Sequence, residues 1–441
     1  MFPSSSSSSP ILYSLTLFVS LLLLFLFAPQ ILPPRNRHHG QPLISAKDEL
    51  DDLRLFREAI SKAKATSRGG SSKVSHLATV NPKPKIAFLF LTNSDLVFAP
   101  LWQRFFESAG GDLFNVYVHV DPSTKLSTPE WLIKANFVPA KTTARASPTL
   151  ISAARRLMAN AIIDDPFNLY FALVSQHCIP LHSFKFVYAS LFGNPSSATK
   201  AFLTQRSHKS YVEILSEAPY LHNRYVARGD GSLLPEIPYD KFRVGSQFFV
   251  MAKRHALLVL RERKLWRKFK QPCLDLDSCY PEEHYFPTLL SMEDPKGSSF
   301  YTLTRVNWTD SVDGHPHTYL SPEISPELIH TLRKSNSRYS YFFARKFSPD
   351  CLKPLMEIAN DDVRLENMGE AMVLVLFVLC CTYNGFGGAK SGVSGEKQSI
   401  RCKSMLCFLL LDFELGVVWC GVVMLVTCEV LPFAHVMSSP P

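Results

Sequence analysis

Between Lys85 and Val174, apolar runs of buried-strand type alternate with stretches of helical spacing, and that alternation confines the chain to an α/β fold. Ile86 to Leu91 is a short apolar run. Leu96 to Ala109 follows at helical spacing and is stopped by Gly110-Gly111, and Val116 to Val120 is the next strand. Ser147-Pro148 reads as an N-cap and first helical residue. Leu150, Ile151, Ala154, Leu157, Met158, Ala161 and Ile162 then share one apolar face, with Arg155 and Arg156 pointing off it. Tyr170 to Val174 is a further buried strand. Strand, helix, strand in this order predicts a mostly parallel sheet with right-handed crossovers. Ligands of such sheets sit beyond the carboxyl ends of the strands. That places Thr92 and Asn93 after the first strand and His119 and Asp121 at the end of the second. No Gly-x-Gly-x-x-Gly is present, so a dinucleotide fold has no direct support.

A chain of 441 residues, 46% apolar, accommodates one large α/β domain plus accessory segments. The net charge of +9 is spread along the chain, which suits a polyanionic ligand, a membrane surface or a solvated basic face. Aromatic and basic residues do not interleave as nucleic-acid binding would require. Residues 1–10 form a short serine-rich N-terminus. Residues 11–28 are an uncharged apolar run long enough to cross a bilayer, without the basic n-region and cleavage site of a signal peptide. Arg35 and Arg37 follow that run and no Lys or Arg precedes it, so the positive-inside rule alone puts the body in the cytosol. Residues 29–84 read as a stem. Within it Leu50, Leu53, Phe56 and Ile60 recur at helical spacing, an amphipathic helix offering a surface for homodimer formation. The globular domain spans 85–361, and 362–441 is an atypical tail that carries six of the 10 cysteines.

The stretch Cys273 to Met292 concentrates the chemistry. Pro281 suits a first helical position. Glu282 and Glu283 then fall in or before the first turn, where helix-end N–H groups favour a carboxylate. A carboxylate held there beside His284 can accept a proton from a hydroxyl group. The plainer alternative is that both acids only stabilise a helix end. Pro287 is expected to bend the chain soon afterwards. Asp275-Leu-Asp277 places two carboxylates one residue apart, a spacing able to share a hard cation.

The segment Pro281-Glu-Glu-His-Tyr-Phe-Pro-Thr-Leu-Leu290 resembles the acidic motif of the core-2/I-branching glycosyltransferases (glycosyltransferase family 14) in its plant form. The resemblance runs from about Lys83 to Asp361. It implies a GT-A-like, Rossmann-type nucleotide-sugar-binding fold and inverting transfer from a UDP-sugar, GlcNAc foremost, to a glycan hydroxyl. The second acid of the motif is the family's general base, here Glu283. Val118-His-Val-Asp121 resembles the segment lining the nucleotide pocket, which assigns His119 and Asp121 to the donor; an ordinary strand end with an Asp-Pro turn is the alternative. Phe343-Ala-Arg-Lys-Phe347 resembles the motif supplying a diphosphate lysine, here Lys346, with Arg345 beside it. His317 of Gly314-His-Pro-His317 stands where the family has an arginine on the diphosphate. Gly245 and Ser246 resemble an element bordering the acceptor cleft, and Trp308 of Val306-Asn-Trp308 resembles a sugar-stacking tryptophan, a core tryptophan being the alternative. Asn307-Trp-Thr309 is also a glycosylation sequon.

The resemblance further implies a single-pass type II Golgi membrane protein, and basic side chains rather than a metal on the leaving group, so no cofactor is expected. A catalytically inert glycan-binding or scaffold protein on the same fold is the rival reading, prompted by Ala154 and His317 at positions where relatives differ. In an oxidising lumen, the four domain cysteines Cys178, Cys273, Cys279 and Cys351 allow three pairings, and Cys273–Cys279 is the favoured local bridge.

Overall fold

The computed structural model describes residues 14–21, 23, 44–69, 83–109, 112–127, 132, 135–193, 208–309, 315–360, 411–412 and 417–418. Its centre is a sheet built on β1 (Lys85–Thr92), every residue of which is buried. β2 (Phe114–Val120) and β4 (Asn168–Val174) flank β1 in parallel, with β3 (Asn136–Phe137) beyond β2. On the other side β7 (Val250–Ala252) runs antiparallel to both β4 and β6 (Ser210–Glu213), and β8 (Ser298–Phe300) lies parallel to β6. The order of these seven strands is β3-β2-β1-β4-β7-β6-β8. The sheet is therefore mixed but mostly parallel, as the alternation of strand and helix predicts. A second sheet orders β5 (Ile179–Pro180), β10 (Phe343–Arg345) and β9 (Thr304–Val306), with β10 in the middle.

Alternate residues of β1 feed two cores, because successive strand side chains leave opposite faces. Ile86, Phe88 and Phe90 point to one, where the rings of Trp102, Phe105, Phe106, Phe184 and Phe343 surround Phe88. Ala87, Leu89 and Leu91 point to the other, filled by helix Pro148–Asp164 through Ile151, Leu157, Met158 and Ile162. Ser147 caps that helix by accepting from the Thr149 N–H, as its Ser-Pro start predicts. The result is a layered α/β domain of the kind a GT-A-like fold requires.

One expectation is corrected here. Arg155 and Arg156, read as lying off the apolar face, are only 2% and 4% exposed, because helix Ala46–Gly69 lies on top of them. Arg156 donates from Nε and Nη2 to the two carboxylate oxygens of Asp52, at 2.6 and 2.9 Å. The Arg155 guanidinium is sandwiched over Phe56 and Trp266, at 4.6 and 4.8 Å from their ring centres. Lys270 reaches Glu49 at 2.7 Å, and Lys141 pairs with Asp48. Phe56, Ala59 and Ala63 are buried in the second core. The amphipathic helix expected in a stem is thus a layer of the domain, and the stripe that would have served homodimer formation is largely covered by the chain itself. Leu50 alone of its four expected apolar positions is exposed, at 48%.

Residues 14–21 are helical. Most of the rest of the expected membrane segment 11–28 lies outside the described residues, and among those described no helix is long and apolar enough to cross a membrane. Residues 366–441 form a separate unit. Within it only β11 (Leu411–Asp412) and β12 (Val417–Val418), an antiparallel pair, are described, so the expectations for the tail fall outside.

Candidate active site

Cys273 and Cys279 are joined by a disulfide, and the loop between them is pinned by the Leu274 and Asp275 N–H groups, both donating to the Ala227 carbonyl. The chain leaves this loop through Tyr280 in the left-handed region (φ 36) and enters a single 3-10 turn, Pro281–Glu283. The following helix, Tyr285–Glu293, starts only after His284. Pro287 therefore sits in the first turn of that helix, where its missing N–H breaks no bond, and it does not bend the chain as expected.

The two acids of the turn part company. Glu283 is one quarter exposed, and its Oε2 accepts from Arg224 Nη1 at 2.7 Å. Glu282 is buried, with Oε1 accepting the Ala146 N–H at 3.0 Å. Burial, reinforced by the neighbouring Glu283 charge, pushes the Glu282 carboxyl up to about 8. His284 does not face the same space. Its ring is fully buried and stacks on Phe242, and Nδ1 donates to the Arg243 carbonyl at 2.8 Å. Burial pulls this imidazole down to about 3, so it is neutral.

Gly245 explains how the turn is held. Its N–H donates to the Glu283 carbonyl at 2.9 Å, and a Cβ at this position would collide with the Glu213 carbonyl. The glycine thus allows the end of β6 and the acidic turn to meet, and the close approach is to backbone. Ser246 donates its N–H to Glu213 Oε2 at 2.9 Å. The Glu213 carboxyl lies close enough to Glu283 for their charges to interact, and burial first, then that neighbour, raise its pKa.

Cations lie within electrostatic reach of this turn. Arg345 ends β10 with its guanidinium 4.5 Å over the Phe248 ring, and Lys346 follows it. Burial first, then Arg345 and Arg145, lowers the Lys346 pKa. Burial lowers that of Arg345, while the Glu283 charge opposes it. Arg145 lies over the Tyr280 ring at 5.7 Å and Arg224 over the same ring at 5.1 Å. Glu283, Arg345, Lys346, Arg224 and Glu213 therefore make one charged cluster beside the acidic turn.

Other expected residues lie elsewhere in this scheme. Asp121 is buried with both oxygens engaged: Oδ1 accepts from Ser123, and Oδ2 from the Thr143 N–H and hydroxyl. His119 is fully buried, accepts the Lys141 N–H on Nε2, and is pulled down to about 4, by burial first and then by Arg156. Together they hold residues 141–143 against the end of β2. His317 is paired with Glu323 at 2.8 Å and packs edge-on to Tyr319. Trp308 is 53% exposed, which removes the core-tryptophan alternative. The Asn307 side chain accepts the Thr309 N–H at 3.0 Å. Asp275 is an N-cap, accepting the Asp277 N–H, and among the described residues no cluster of three metal-ligating side chains occurs. Cys178 and Cys351 are buried free thiols.

Sequence reasoning missed Glu213, Arg224 and Arg145. Glu213 carried one usable signal, a carboxylate at the end of a strand. Arg224, on helix Leu221–Val226, and Arg145 carried none.

A family model described as Core-2/I-Branching enzyme matches residues 86–333. Glycosyltransferase BC10 of Oryza sativa subsp. japonica is 25% identical over 287 residues, covering 58% of this chain and 67% of that protein.

Proposed function

The chain belongs to the core-2/I-branching enzyme family and is a glycosyltransferase, and from that premise we propose that it transfers a sugar with inversion from a UDP-sugar to a glycan hydroxyl. Glu283 is the general base in this reading, Lys346 and Arg345 support the departing diphosphate, and GlcNAc is the foremost donor sugar. The acceptor oxygen attacks the anomeric carbon from the face opposite UDP. Its proton passes to the Glu283 carboxylate as the new bond forms, and UDP leaves with the electrons of the old one. Fixed cations at the leaving group lower the barrier by neutralising charge as it develops.

The observation that carries this reading is the charged cluster itself: one partly exposed carboxylate, oriented by Arg224, within electrostatic reach of Arg345 at the β10 end. Exposed Trp308 supports a sugar-stacking surface. His317, held by Glu323, serves the donor less directly than Lys346. His119 and Asp121 act by shaping the loop at the end of β2, which borders the nucleotide. Anchoring through residues 11–28 and a Golgi location belong to the same proposal.

The test is release of UDP by the full chain from a panel of UDP-sugars, with and without glycan acceptors. Acceptor-dependent release, greatest with UDP-GlcNAc, is the expected outcome. Binding of a UDP-sugar without any release across the panel would make the chain an inert binding protein.

A further inference from the structure

The transfer mechanism does not use the buried carboxyl of the acidic turn, Glu282. Glu282 is only 4% exposed, and while its Oε1 accepts the Ala146 N–H, its Oε2 makes no hydrogen bond to protein. Arg228, 5% exposed and stacked over Phe269, adds a neighbouring positive charge without bonding to it. The bond to Ala146 holds a backbone that resists it, since Ala146 has φ +55, the left-handed region an alanine rarely adopts. The turn is tied at its other side too, by the Ala144 N–H donating to Thr149 Oγ1 and by the Ser147 cap. Between these ties stands Arg145. Its guanidinium donates to His315 Nε2 at 2.6 Å and covers Tyr280, the residue that opens the acidic turn.

The electrostatics point the same way. Arg145 is close enough to Lys346 and Arg345 to disfavour their charged forms. Glu283 offsets part of this gathered positive charge; three cations beside a single carboxylate still favour a further anion, and a diphosphate carries the matching charge.

We propose that Glu282 is a positioning residue which, through the Ala146 N–H, sets Arg145 beside Lys346 to contact the diphosphate of the nucleotide-sugar donor. The inference rests on the reading that Lys346 and Glu283 flank the transfer site. Glu282 touches no substrate; it acts by fixing the turn that carries Arg145.

The experiment is calorimetric titration of the full chain with UDP, which reads binding without turnover. Arg145→Ala and Glu282→Ala should each weaken UDP binding roughly 10-fold, the scale of one charge-assisted hydrogen bond. The double variant should be no weaker than either single one, because both remove the same contact. Glu282→Gln, whose amide oxygen still accepts from Ala146, should bind UDP within about twofold of the parent chain. Should Glu282→Ala not fold, Glu282→Asp replaces it, since its carboxylate is withdrawn from Ala146 by one methylene. Multiplying effects in the double variant, or Glu282→Gln as damaging as Glu282→Ala, would overturn the coupling. Unchanged affinity in Arg145→Ala alongside loss in Lys346→Ala would overturn this inference alone. Unchanged affinity in both would overturn the site reading as well.

Discussion

Arg224 and Glu283 form an ion pair, Nη1 to Oε2 at 2.7 Å, in which each side chain is about one quarter exposed. The pair joins helix Leu221–Val226 to the acidic turn and leaves the carboxylate in a single orientation. The Arg224 guanidinium also covers Tyr280. The base proposed for the transfer is thus held from the side while its backbone carbonyl is held by Gly245.

Glu283→Gln keeps the shape of the side chain and removes the base. The turnover number should fall by at least about 100-fold, the usual contribution of a positioned general base. UDP affinity and melting temperature should stay nearly unchanged. Near-normal turnover under saturating donor and acceptor would remove Glu283 from the mechanism.

Arg224→Ala releases the carboxylate without removing it. Turnover should drop roughly 10- to 100-fold from misplacement of the base, while stability changes by no more than about 1 kcal/mol because the pair is partly solvated. Steady-state kinetics beside a urea unfolding curve separates the two. A stability loss without a kinetic one would make Arg224 purely structural.

Asp52→Asn breaks the buried contact to Arg156 and strands a charged guanidinium beneath helix Ala46–Gly69. The expected cost is about 3–5 kcal/mol, measured by chemical denaturation. For the same reason a chain beginning at Lys83, stripped of that helix, should be insoluble or much less stable. A soluble, active product of that truncation would show that the helix is dispensable.

Stability should fall on mild acidification. His119 is held down to about 4 and His284 to about 3, both below the ordinary imidazole value of 6.5. Between pH 6.5 and those values the unfolded chain binds protons that the folded chain refuses, so stability drops as pH falls. Each such group contributes up to about 1.4 kcal/mol per pH unit. His177, His208 and His255, also lowered by burial first, add in the same direction. Glu282, pushed up to about 8, opposes them, because the folded chain holds its proton from pH 4.5 upward and loses stability as pH rises through 8. Glu213, raised chiefly by burial, opposes with the same sign. Asp52, raised by burial first, opposes likewise; with five such imidazoles against three such carboxyls among the described residues, the melting temperature should decline from pH 6.5 to 4.5. His119→Gln should flatten that decline; an unaltered slope would mean the ring is protonated in the fold.

Turnover should survive EDTA. Asp275 spends its carboxylate capping the Asp277 N–H in the disulfide loop, and the proposed leaving-group charges are Arg345 and Lys346. Complete loss of activity on chelation, restored by manganese, would replace that assignment and make Asp275 and Asp277 ligands.

Three strands, β1, β2 and β4, were legible in the sequence because they are buried on both faces and read as largely apolar runs. The Ser147-Pro148 helix start was legible because capping is decided within one turn of chain. The acidic turn was visible for a similar reason: Pro281, Glu282 and Glu283 are consecutive, and the motif resembles a family. What the sequence could not decide was which acid is buried, since burial is set by residues far along the chain. Glu282 is enclosed beside Ala146, 136 residues away, and Glu283 meets Arg224, 59 residues away. Arg155 and Arg156 were legible only as charges off the apolar face; their cover by helix Ala46–Gly69 was not, because no local periodicity records an aromatic sandwich or a carboxylate from 104 residues earlier. Local sequence determined these elements. Only tertiary packing, by choosing which charges lose water and which gain partners, decided the site.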